Sequence, residues 1–276
     1  SSIKSSKNIT YYLSANNRKA TYHKFIRMLF SKLHETSDKD IIYFLEKTPR
    51  YYHITNEIYN CFPDSMFIFL VRNPLAVLSS IINYNYNGRW YMIFSPDRIH
   101  DLFTCIDKIV SNKNPNSIFL KYEHLIHNHK EEILRIMKFL LISCEDIQFN
   151  YDASSLSGKH LGFDRKSLDK HNEPVSSYEN QWMLYFVTPQ RKIIALHYIN
   201  SLPSEYLIKF NYCKIKIIKS LNMRWYNYLF IPINFKILKY LYNSNMFFIL
   251  KLIFLYDIFI FNNITRRSKI FNCIIS

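Results

Sequence analysis

Three short, apolar, β-prone runs, each followed by a helical stretch, constrain this chain more than any other feature of it. Ile41-Ile42-Tyr43-Phe44-Leu45, Met66-Phe67-Ile68-Phe69-Leu70-Val71 and Ser117-Ile118-Phe119-Leu120 read as buried strands. Strands alternating with helices predict an α/β fold, with a parallel sheet covered on both faces. Ligands of such sheets bind just beyond the carboxyl ends of the strands. Here the three runs end at Lys47, Arg72 and Lys121, and three cations at one rim favour an anionic ligand.

The helical segments follow from periodicity and punctuation. The polar, basic segment 1–40 carries one helix near Tyr22 to Leu33. Tyr51, Ile54, Ile58 and Cys61 fall at helical spacing, and Pro63-Asp64 closes that helix. Asn73 suits an N-cap and Pro74 the first helical position, so a helix is expected from Pro74 to about Ile82. The stretch Asn83–Pro96 has no clean period and reads as a loop or insertion. Ile99, Leu102, Ile106 and Ile109 mark the next buried helix face. Ile133, Ile136, Met137, Leu140 and Leu141 mark the strongest amphipathic one. Asp152 to Asn180 is polar and Ser-rich, a long loop of the kind that serves as a lid or binding loop. Thr188-Pro189 starts another helix through about Leu202.

Composition excludes several classes. With 276 residues, 49% hydrophobic and 17% aromatic, the chain folds rather than staying disordered. Its three glycines, Gly88, Gly158 and Gly162, allow neither a G-x-G-x-x-G turn nor a G-x-x-x-x-G-K-[ST] loop. Phosphate would have to be held mainly by side chains and helix ends. Cys61, Cys105, Cys144, Cys213 and Cys273 are scattered and never in C-x-x-C spacing, against a disulfide framework or a zinc site and in favour of a reducing compartment. His124, His127 and His129 form an H-x-x-H-x-H cluster, but no Cys or close carboxylate pair completes a metal site. Tyr84, Tyr86, Arg89, Trp90 and Tyr91 can stack on a sugar or on single-stranded RNA, or pack as an insertion on the sheet edge.

The net charge of +15 is unevenly placed. From Lys209 onward there are eleven Lys and Arg against one acid, Asp257, amid many Phe, Tyr, Leu and Ile. A basic apolar tail points to an anionic membrane surface rather than to nucleic acid. Its longest apolar stretch, Met246 to Phe261, is broken by Lys251 and Asp257 and falls short of a spanning helix. No signal-peptide pattern opens the sequence. A cytoplasmic location, peripheral at a membrane, fits these features.

The residues from Phe44 to Ile82 resemble the sulfotransferase family that uses 3′-phosphoadenosine 5′-phosphosulfate as donor. Three motifs carry the likeness. One is Glu46-Lys47-Thr48-Pro49 followed by aromatics. Another is the Phe62-Pro63-Asp64 turn leading into a strand that ends Arg72-x-Pro74, with Ser80 eight positions after the Arg. The third is Lys121-Tyr122-Glu123-His124-Leu125 before an amphipathic helix. Weaker echoes run through Gly162-Phe163-Asp164, Pro174-Val175, Tyr178, Trp182 and Leu202 to Tyr212, so the likeness spans about residues 40 to 212.

The resemblance implies a three-layer parallel sheet of the P-loop nucleotide-kinase type. It divides the chain into an N-terminal segment 1–40, an α/β domain 41–212 and a basic, apolar, helical tail 213–276. It gives Arg72 and Ser80 the donor's 3′-phosphate, a task suited to a guanidinium fork and a neutral hydroxyl; the alternative is an Arg at a strand end and a Ser lining a helix. It sets Lys47 facing the donor sulfonate, the alternative being a solvated lysine. Tyr122 packs near the nucleotide or is simply core. Arg165 and Lys166, with Lys159, His160 and Gly162, correspond loosely to a basic phosphate-contacting loop.

The family's main phosphate loop, Pro-[Lys/Arg]-Ser-Gly-Thr-[Thr/Ser], has no counterpart, and no glycine precedes Gly88; the expectation is an N-terminally incomplete chain. The implied function is sulfuryl transfer to a hydroxyl or amine on a carbohydrate or lipid-linked glycan, without a metal. The alternatives are a truncated, non-catalytic remnant and a basic protein binding RNA or a membrane surface.

Overall fold

The computed structural model describes residues 15–35, 42–48, 50–94, 96–149, 176, 179–224 and 243–244. The described residues fall into two compact units, one within 1–67 plus 114–116 and one within 68–113 plus 117–276. The secondary structure is mixed α/β, mostly helical, around a two-stranded parallel sheet.

In the first unit, α1 (Ala15–Glu35) extends the helix expected near Tyr22 to Leu33 at both ends. Its Phe30 sits edge-on to Phe44 and Phe62, with ring centroids 5.1 and 5.5 Å apart. The Arg27 side chain donates to the Cys61 carbonyl at the end of α2 (Thr55–Cys61). A 3-10 turn, Tyr51–Ile54, precedes α2, and buried Thr55 ties the two together by sharing its hydroxyl between the Tyr51 and Tyr52 carbonyls.

The expected first strand does not form. Residues 42–48 carry no ladder, and Ile42 and Leu45 are 79% and 84% exposed. An apolar, β-prone run becomes a strand only where a neighbour completes its hydrogen bonds, and the described sheet pairs β1 with β2 alone.

The second unit begins within β1 (Phe67–Val71), at Ile68, and β1 and β2 (Ser117–Lys121) are joined through two helices, as a parallel pair requires. Phe69 stacks on Phe119 across the pair, with centroids 5.2 Å apart and planes 20° from parallel. The continuous apolar run of β1 predicts burial on both faces, yet its burial alternates. Val71 is buried and Phe69 half-buried, while Ile68 and Leu70 stay exposed, so one face of β1 packs on the core.

The β1 exit follows the local chemistry closely. Asn73 Oδ1 accepts from the Leu75 amide at 2.9 Å, and Pro74 opens α3 (Pro74–Tyr86). Leu75, Ala76, Leu78 and Ile82 bury one face of α3, and Asn87 with Gly88, both at positive φ, end the helix. At φ +72° Gly88 occupies a conformation that side chains resist, and its amide returns to the Ile82 carbonyl.

The loop expected over Asn83–Pro96 is instead the last turn of α3 and a 3-10 turn, Trp90–Phe94, set into the core. Trp90 is 1% exposed, edge-on to Phe186 at 5.1 Å, with the Arg191 guanidinium 5.1 Å from its ring. Long-range aromatic packing gives this stretch its place, which is why no period announced it.

Then follows α4 (Pro96–Ser111), burying Leu102, Ile106 and Ile109 as expected. Lys209 donates to the Ile109 carbonyl at 3.1 Å, a cation at a helix carboxyl end, where the helix dipole favours it. Beyond β2 come α5 (Tyr122–His127) and α6 (His129–Leu140). Leu141, expected on the buried face of α6, is its left-handed cap at φ 56° and 84% exposed. Further along come α7 (Pro189–Ser201), capped by Thr188, then α8 (Ser204–Lys209) and α9 (Lys214–Ser220). Their buried residues Ile194, Ala195, Tyr198, Ile199, Tyr206 and Phe210 join the α3 and α4 residues in one hydrophobic cluster. The long loop 152–180 lies largely outside the described residues, as does the tail beyond Arg224.

Candidate functional site

At their carboxyl ends the two strands bring together Arg72, Asn73, Lys121, Tyr122 and Glu123. Each strand must leave the sheet there, and each does so directly into a helix, β1 through the Asn73 cap into α3 and β2 straight into α5. The half-buried Arg72 guanidinium lies over the Tyr122 ring, 4.2 Å from its centroid, a cation–π contact. Lys121 Nζ lies at the same distance, 4.2 Å, over the ring of Tyr212. Two of the three cations expected at the rim therefore share one edge of one sheet, each flattened against an aromatic face.

Glu123 is the buried acid of this rim. Its Oε1 accepts from the Asn73 amide at 2.8 Å and its Oε2 from the Tyr212 hydroxyl at 2.9 Å. Tyr206 donates to the Arg72 carbonyl at 3.3 Å and stacks on Tyr212, centroids 6.1 Å apart. Burial pushes the Tyr212 phenol far above its ordinary range, and the Glu123 carboxylate adds to the effect while Arg72 opposes it. Burial likewise raises Tyr206, with smaller contributions from Cys105 and Glu123. Both phenols thus keep the protons they donate.

Beside this cluster opens a pocket of about 340 Å³, lined among others by Asn73, Lys121, Glu123, His127, Glu179 and Tyr212. Within its lining His127 Nε2 donates to Glu179 Oε2 at 2.7 Å. The lining mixes both signs of charge with ring faces and amides, a set suited to a polar, partly aromatic ligand. Among the described residues no group of three or more His, Cys, Asp or Glu is arranged to hold a metal ion.

The remaining expected site residues fare differently. Ser80 sits on the exposed face of α3, while the neighbouring Ser79 is buried and donates to the Ala76 carbonyl. Lys47 belongs to the first unit, exposed in the segment 42–48, where Thr48 and Tyr51 both donate to Glu46 Oε1 at 2.9 Å. Arg165 and Lys166 lie outside the described residues. Glu123, Tyr206 and Tyr212 were not singled out by sequence reasoning. Their only signals were an acid in the strand-end motif and two aromatics in the weak echo from Leu202 to Tyr212.

Comparison with known proteins agrees with this reading. Residues 4–146, more than half of the chain, match the sulfotransferase family. No curated protein and no solved structure matches the chain. A family match of this extent, with the Arg72, Tyr122 and Glu123 motifs gathered at one sheet edge, means that the chain belongs to the sulfotransferase family.

Proposed function

We propose that this protein moves a sulfuryl group from 3′-phosphoadenosine 5′-phosphosulfate to a hydroxyl or amine of a carbohydrate or glycolipid acceptor, on a three-layer nucleotide-kinase-like core. The observation that carries the proposal is the Arg72 guanidinium laid against Tyr122 where two paired strands end, in a chain of this family. Arg72 and Ser80 take the donor's 3′-phosphate, Tyr122 borders the nucleotide, and Arg165 and Lys166 add positive charge to it. Lys47 neutralises charge gathering on the sulfonate and the bridging oxygen.

In the transfer the acceptor oxygen or nitrogen bonds to sulfur. The bond between sulfur and the bridging phosphate oxygen breaks, its electron pair leaves with adenosine 3′,5′-bisphosphate, and the acceptor proton passes to a base. Such a reaction asks the protein for in-line placement and charge stabilisation rather than covalent chemistry.

A second reading is a nucleotide-binding member of the family that does not transfer. Calorimetry with adenosine 3′,5′-bisphosphate and a labelled-sulfate transfer assay separate the two. Binding with turnover supports the enzyme, and binding without turnover supports the second reading. Arg72→Ala is expected to weaken the bisphosphate by about 1.5–3 kcal/mol, the worth of a charge-assisted contact. Equal binding by wild type and variant would overturn the 3′-phosphate assignment.

A further inference from the structure

We infer that Glu123 is the positioning residue of the phosphate site, holding Arg72 in place through a clamp that Tyr212 and Tyr206 complete. The inference rests on the reading of Arg72 as the phosphate-binding group and goes beyond it, since Glu123 acts on Arg72 through the backbone turn beside it.

Arg72 lies between the end of β1 and the Asn73 cap of α3, and the turn Arg72-Asn73 decides where its guanidinium points. That turn is held from both sides. Ahead of it, the Asn73 amide donates to Glu123 Oε1 at 2.8 Å. At its own carbonyl it accepts from Tyr206 at 3.3 Å. Glu123 in turn is held by the Tyr212 hydroxyl at 2.9 Å, and it directly follows Tyr122, whose ring carries the guanidinium.

Each carboxylate oxygen therefore has a different task. One fixes the backbone beside Arg72, and the other fixes the carboxylate. A buried carboxylate needs hydrogen bonds, and this one has two donors, while Lys121 lies over the ring of Tyr212, one of those donors. A backbone amide held by an ionised acceptor is among the stiffer ways to set a turn. A side chain that must meet a phosphate fork-on gains from a preset turn, because less conformational freedom remains to be lost on binding.

The test is a double-mutant cycle on the full chain, read by calorimetry with adenosine 3′,5′-bisphosphate and by the thermal midpoint of each variant. Glu123→Ala is expected to weaken binding about tenfold. Glu123→Gln, which keeps an acceptor for the Asn73 amide, is expected to recover most of that loss. Tyr212→Phe removes only the hydroxyl donor and keeps the ring under Lys121, so about a threefold loss is expected. It also carries the cycle if Glu123→Ala does not fold. In the Arg72→Ala background these substitutions should change affinity by less than about twofold, while still lowering the thermal midpoint.

Losses that add in the double variants would show that Glu123 supports the fold at large, and would overturn the clamp while leaving the Arg72 assignment standing. Unchanged binding by both Glu123→Ala and Tyr212→Phe would do the same. If wild type does not bind the bisphosphate, or Arg72→Ala alone leaves binding intact, the phosphate reading of Arg72 fails and the clamp falls with it.

Discussion

The hydroxyl of Tyr206 donates to the main-chain carbonyl of Arg72 across 3.3 Å of space and 134 residues of sequence. It pins the exit of β1 to α8, and burial keeps its proton in place by raising the phenol. Tyr206→Phe leaves the ring edge-on to Phe210 and stacked on Tyr212 and removes only this bond. The expected loss of unfolding free energy is about 0.5–1.5 kcal/mol, read by urea denaturation. An unchanged midpoint and slope would show that the bond contributes nothing.

Tyr198 gives the opposite expectation. Its hydroxyl is buried without a hydrogen-bond partner among the described residues, in a site where its ring packs on Phe103. Tyr198→Phe keeps the ring and removes an unsatisfied polar group, so stability should hold or rise by up to about 1 kcal/mol. Destabilisation on denaturant titration would mean that the hydroxyl has a partner after all.

Alkaline pH should unfold the protein early. Burial is the largest cause raising the phenols of Tyr198, Tyr206 and Tyr212 above their ordinary value of 10.0. Above that value the unfolded chain releases these protons and the folded chain keeps them, so the folded state binds more protons and stability falls as pH rises. Below it the contribution is fully present. Each phenol steepens the decline by up to about 1.4 kcal/mol per pH unit. Thermal midpoints between pH 8 and 11.5 should be flat and then drop. Replacing Tyr206 by Phe should make the drop shallower.

The tail makes a lipid-dependent prediction. Among the described residues no helix is long and apolar enough to cross a membrane, but the tail's cations can meet an anionic surface at about 1 kcal/mol each. Flotation with liposomes should require anionic lipid and weaken with salt. It should fall when Arg266, Arg267 and Lys269 are replaced by Ser. Flotation indifferent to lipid charge would remove the surface from the list of partners.

Legibility in the sequence tracked the range of the interaction. The Asn73 cap, the Pro74 start, the Thr188 cap and the buried stripe Leu102, Ile106, Ile109 are contained within a few residues, and each was readable. Arg72 and Tyr122 were legible as strand-end residues through the family likeness, although nothing local says that one would lie over the other. Glu123 was readable only as an acid after a tyrosine, because its partners Asn73 and Tyr212 lie 50 and 89 residues away.

By itself the chain of residues determined that helices begin at Pro74 and Pro189, that 66–71 and 117–120 favour extended backbone, and that Arg72 and Lys121 stand where those strands end. Those outcomes depend on caps, proline geometry and side-chain alternation, which act within one or two turns. Only the tertiary structure decided that residues 42–45 stay exposed, that Trp90 enters the core, and that Tyr206, Tyr212 and Glu123 converge on the Arg72 turn. A ladder partner, a ring to pack on and an acceptor for a buried phenol come from distant segments, and no local preference can supply them.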